Sequence, residues 1–161
     1  MYRVFFSIFL STFSLTAAFA VEEAVDNLLP SVFQIGDFQE EYEALIKTHD
    51  HSLMEVCDND MRAAYSKLSS MFREMELHAE RRNYNIKGIR IWLHIFWKKD
   101  GSIAHLAYHL RPNSRNVSIA GLENFLIDFI QHYHFPLISK HAYELYTNVA
   151  FPLYSKRIKG N

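Results

Sequence analysis

Three histidines fall where a β-hairpin would gather them: His94 in "IRIWLHIFW", and His105 and His109 in "SIAHLAYHL". Imidazoles so grouped could ligate a metal or move protons. The two alternating runs meet at Asp100-Gly101, a strong hairpin signal. Pairing Lys99 with Ser102 makes opposed residue numbers sum to 201 and puts His94 opposite Ala107, diagonal to both His105 and His109. His105 and His109 are then four strand positions apart, about 13 Å, too far to share one ion. His94 with either gives two ligands, and no carboxylate or cysteine is expected on that face to complete a set. No metal and no cofactor are therefore expected. Catalysis would need a nucleophile or acid beside a histidine, and neither Gly-x-Ser-x-Gly nor a Cys–His signature is present. A small exported hydrolase or metal-dependent enzyme using His94, His105 and His109 stands as the alternative function.

A second polar group is the loop "RPNSRN", where Arg111 and Arg115 flank Asn113 and Ser114. Two guanidiniums with amide and hydroxyl donors suit a carboxylate or phosphate, and a solvated turn is the competing reading. His132, His134 and His141 are spread over a helix end and the loop after it, where imidazoles meet the helix dipole. Cys57, the single cysteine, reads as a buried small hydrophobe, with no disulfide framework.

The elements that position these residues follow from periodicity. "DFQEEYEALIK" (37–47) carries Phe38, Tyr42 and Leu45 on one helical stripe, and a short helical turn is expected near "HSLMEVC". "DND" at 58–60 offers caps for a longer helix to about Arg82, striped by Met61, Tyr65, Leu68, Phe72, Met75 and Ala79. Gly88 releases the chain into the hairpin, where Ile91, Leu93, Ile95 and Trp97 share a face with Ala104, Leu106, Tyr108 and Leu110. The other face carries Arg90, Trp92, His94, Phe96, His105, Ala107 and His109. Ser118 caps a helix to about Tyr133, and Glu144 to Phe151 alternates as a third strand closed by Pro152. A crossover through that helix makes strands two and three parallel, separated by strand one. The expected fold is α+β: N-terminal helices, then β-β-α-β forming a three-stranded antiparallel sheet, order 2-1-3. The later helix covers the aliphatic face and the N-terminal helices cover the aromatic-histidine face of Trp92, His94, Phe96, His105 and His109. An exposed aromatic surface for a partner or a second copy, as in a dimeric structural subunit, is the other reading of that face.

The first residues, "MYRVFFSIFLSTFSLTAAFA", run from a basic start through an apolar middle to Ala18-Phe19-Ala20, the pattern signal peptidase reads. Cleavage after Ala20 and a periplasmic location are expected, with a retained anchor as the competing reading. Residues 21–80 hold 14 Asp/Glu against 4 Lys/Arg, net −10, whereas 81–161 hold 4 against 12, net +8. That asymmetry separates an acidic helical segment (21–85) from a more basic half ending in a basic tail (156–161). Without a basic-aromatic motif, nucleic acid is not an expected partner.

Gly88 before "IRIWLHIFW", Asp100-Gly101 at the hairpin, the helix ending "FIQHYHFP", and the closing "LYTNVAFPLY" form one pattern. Over Ile86 to Tyr154 that pattern resembles the TonB C-terminal domain. The resemblance implies an export-side domain (86–155) that receives an extended peptide of an envelope protein by strand addition. The docking strand would be Leu145, Tyr146, Thr147, Asn148, Val149 and Ala150. The chain departs from that family in having a cleavable leader and an acidic helical segment instead of an anchor and a Pro-rich spacer. A stand-alone binding or scaffold role is expected, not energy transduction, with no membrane span once the leader is removed.

Overall fold

The computed structural model describes residues 29–153. The leader, its cleavage point after Ala20, the end of the family resemblance at Tyr154 and the basic tail lie outside the described residues.

The elements are β1 (Val32–Gln34), α1 (Gln39–Thr48), β2 (His51–Ser52), α2 (Leu53–Val56), α3 (Met61–Arg81), β3 (Arg90–Trp97), β4 (Ile103–Leu110), α4 (Ile119–His132) and β5 (Tyr143–Ala150). They build one five-stranded sheet, order β1-β4-β3-β5-β2. The expected three-stranded antiparallel sheet is thus corrected to a mixed one. β3 pairs antiparallel with β4 and β5, while β1 joins β4 and β2 joins β5 in parallel. The two added strands come from the segment read as helical. At three and two residues, neither is long enough to show an alternation of its own.

Local chemistry sets the boundaries. Asp60 caps α3 by accepting from the backbone N–H groups of Arg62 and Ala63, at 2.8 and 3.1 Å. Ser118 caps α4 through Gly121 N–H. Ser52 and Glu55 form a reciprocal capping box: the Glu55 N–H donates to Ser52 Oγ and the Ser52 N–H to Glu55 Oε2. That box starts α2 directly after β2, so the chain turns out of the sheet at Leu53. In the β3–β4 hairpin the 201 register runs from Ile91–Leu110 to Phe96–His105, then slips so that Trp97 faces Ile103 instead of Ala104. The slip is an irregularity next to the turn, where Lys98 rather than Lys99 takes the Ser102 carbonyl.

The faces are covered differently from expectation. Met71, Phe72, Met75 and Ala79 of α3 join Leu122, Phe125, Leu126 and Phe129 of α4 in one core over Ile91, Leu93 and Ile95. Both long helices therefore lie on the aliphatic face. Their side chains are apolar, and the opposite face offers imidazoles that they could not satisfy. The α3 stripe begins only at Ala64, leaving Met61 and Tyr65 exposed. On the second face a smaller core of Leu29, Phe33, Leu45, Phe96 and Ala107 is, among the described residues, covered by α1. The acidic segment and the β-β-α-β unit share these cores.

Candidate functional site

His94, at the centre of β3, is 5% exposed and bridges two other elements. Its Nε2–H donates to Glu144 Oε2 of β5 at 2.7 Å, because a carboxylate can only accept. Nδ1 is then the acceptor, taking the Tyr42 hydroxyl of α1 at 2.7 Å. Burial, then the proximity of Tyr146 and Glu144, push the Tyr42 phenol up to about 12, so it stays protonated and donating. Tyr42, His94 and Glu144 form a hydrogen-bonded chain across three elements. Chemically it could pass a proton. Physically it fastens α1 to β5 through β3.

The expectation that no carboxylate reaches this face is corrected by Glu144, which the β3–β5 register sets opposite Phe96. The other two histidines take separate roles. His105 is 3% exposed and its Nδ1–H donates to the Pro30 carbonyl at 3.0 Å, while His109 is exposed. Among the described residues no group of three or more His, Cys, Asp or Glu side chains could hold a metal ion.

α1 covers only part of this face. Phe96 is enclosed by Tyr42, His49 and His94, with ring centroids at 6.2, 5.2 and 4.1 Å. Among the described residues the cover ends beyond His94. Trp92 is half-buried and stacks on Tyr146 at 5.5 Å with planes 9° apart, and Tyr146 is 51% exposed. Asn148 and His109, register partners of Trp92 on either side, are exposed.

Tyr146 and Asn148 also lie on an open sheet edge. β2 pairs with β5 only at Tyr143 and Glu144, and among the described residues no strand pairs with β5 from Leu145 to Ala150 on that side. The direction of the backbone groups follows by alternation. Phe151 N–H donates to Ile89 O, so odd-numbered residues of β5 address β3. Tyr146, Asn148 and Ala150 therefore turn their N–H and C=O groups outward. Their side chains lie on the Trp92 face, whereas Leu145, Thr147 and Val149 lie on the aliphatic one.

The arginine loop is employed within the fold. The Arg115 guanidinium donates to the Asn85 carbonyl, its backbone N–H donates to Gly88 O, and its side chain lies against the Gly88 turn. Ser114 Oγ accepts from Arg90 N–H, the Arg111 N–H donates to Arg90 O, and Asn113 is exposed. Cys57 is buried. His132 donates from Nδ1 to the Asp128 carbonyl, and the His141 ring lies 4.0 Å from that of His51. A cavity of about 640 Å³ at the C-terminal end of α3, between Leu77, Tyr84, Ile86 and Pro152, is lined by none of the candidate site residues expected from sequence.

Sequence reading also missed the α3–α4 seam. His78 Nε2–H donates to Asp128 Oδ2 at 2.6 Å, and Arg82 donates to both carboxylate oxygens. Burial alone would raise the Asp128 carboxyl. The His78 and Arg82 hydrogen bonds outweigh it and hold the group below the usual carboxylate range. The folded carboxyl thus loses its proton more readily than the unfolded one. Its contribution to stability is complete above pH of about 4, and is lost as pH falls through the lower folded value. Urea midpoints measured across that window should fall for wild type and flatten for Asp128→Asn. Parallel acid limbs would mean the seam does not report through Asp128.

Compared with family models, with curated proteins and with solved structures, the chain finds no match in any of the three.

Proposed function

We propose that the protein is a non-enzymatic, periplasmic binding or scaffold protein that captures an extended peptide segment of an envelope partner on the outer edge of β5. It would act as a relative of the TonB C-terminal domain. The observation that carries this reading is the β5 edge: from Leu145 to Ala150 its outward backbone groups have no strand partner among the described residues. Such a row of donors and acceptors is a template for one more strand. The capping box that ends β2 at Ser52 keeps the edge open. The leader pattern supports export.

The test uses Asn148, whose N–H points outward. Proline there removes an edge donor and leaves the β3 ladder with its bonds. Short random peptides displayed on phage are selected on the full chain, and the winners are measured against wild type and Asn148→Pro by fluorescence anisotropy. Circular dichroism checks that the variant is folded. We expect a loss of at least about tenfold in affinity. Equal binding to both would remove β5 as the docking strand.

A further inference from the structure

We propose that the β5 edge is selective for an arginine side chain in the docked segment, and that Tyr146 and Glu144 together read it. The inference rests on the strand-addition reading above and adds the chemistry of what is bound.

A strand added to β5 places alternate side chains on the Trp92 face, about 5 Å from the β5 residues they oppose. On that face β5 presents Glu144, Tyr146, Asn148 and Ala150. Trp92 stacks on one ring face of Tyr146, and the His94 ring stands nearly perpendicular to the tyrosine at 5.4 Å and 84°. Tyr146 is 51% exposed and belongs to the stretch of β5 that has no strand partner among the described residues, so a strand added there would meet its ring. A planar group opposite Tyr146 would continue the stack begun by Trp92.

Glu144 is the only charged residue in that row and stands two positions away on the same face. Its Oε2 accepts from His94, which leaves Oε1 for a partner, and the side chain is 25% exposed. The diagonal from the residue opposite Tyr146 to Glu144 is about 7–8 Å, within reach of a long side chain. A phenyl ring would stack and leave the carboxylate unused. An ammonium would meet the carboxylate but has no plane to stack. A guanidinium does both: it lies flat on a tyrosine and donates to a carboxylate. The His94–Glu144 bond also helps, because it holds the carboxylate in place before the partner arrives.

The peptides selected above supply the test, with their sequences as the readout. Among binders lost on Asn148→Pro, arginine should be enriched at one fixed position. Replacing it by glutamine should weaken binding about tenfold or more. Selection on Tyr146→Ala should relax the preference to arginine or lysine alike. Selection on Glu144→Gln should shift it toward aromatic residues, with circular dichroism confirming that the variant still folds without its His94 partner. Edge-dependent binders with no cationic enrichment would overturn this inference and leave the docking strand standing. A selection that yields no edge-dependent binder would overturn both.

Discussion

Gly101→Ala should destabilise the protein by about 3 kcal/mol or more, seen as a large fall in the urea midpoint at unchanged slope. Gly101 sits at φ +89°, in the left-handed region, and a Cβ there would lie 2.3 Å from the Phe135 carbonyl oxygen and 2.9 Å from that of Leu137. Both obstacles are backbone, so neither can swing aside. The same contact is bonded: Phe135 N–H donates to Gly101 O, and Ser139 N–H to Lys99 O. The hairpin turn is therefore seated in the loop between α4 and β5, and displacing it disturbs the entry to β5 as well. Gly36→Ala is the control. Gly36 has φ +108° but nothing within 4 Å of its Cβ position, so only backbone strain is expected, about 1 kcal/mol. Similar losses at the two glycines would mean that steric contact at Gly101 contributes little.

The second large effect separates the two halves of the aromatic-histidine face. Phe96 is fully buried beneath α1, against Tyr42, His49 and His94. Truncation to alanine there should cost about 3–5 kcal/mol. Trp92 is on the same strand and face, but half-buried and stacked on one side only. Its truncation should cost about 1–2 kcal/mol, despite the larger side chain. Equilibrium denaturation of the two variants decides the matter. Equal costs would show that α1 does not divide this face into a core and a surface, and would withdraw the open shelf beside β5.

The parts of the fold that were legible in the sequence are those set by neighbours along the chain. Asp100-Gly101 and two alternating runs determine most of the β3–β4 register, and Asp60 and Ser118 mark the helix starts they cap. What escaped is set by distant pairing. Val32–Gln34 and His51–Ser52 become strands only because β4 and β5 supply edges for them. The apolar stripe of α3 was readable, but its choice of the aliphatic face turned on which imidazoles become buried on the other one, and that is set by distant packing. The same limit applied to the site. His94 stands out in the sequence by its type and its place in the hairpin, yet its partners lie 52 residues before it and 50 after it. Glu144 was within reach of inference: once β5 is registered on β3, its even-numbered residues share a face with His94. The register between those two strands, separated by a helix, was the missing quantity.

The long β3–β5 ladder also has a mechanical meaning. A segment paired along the outer edge of β5 and pulled along its own axis would load the sheet in shear. All eight register pairs between β3 and β5 would share the tension, with the His94–Glu144 bond as a cross-tie between the same strands. Pulling across the strands would instead open those pairs one after another. A peptide held on this edge is thus better anchored against traction parallel to the sheet than against peeling away from it.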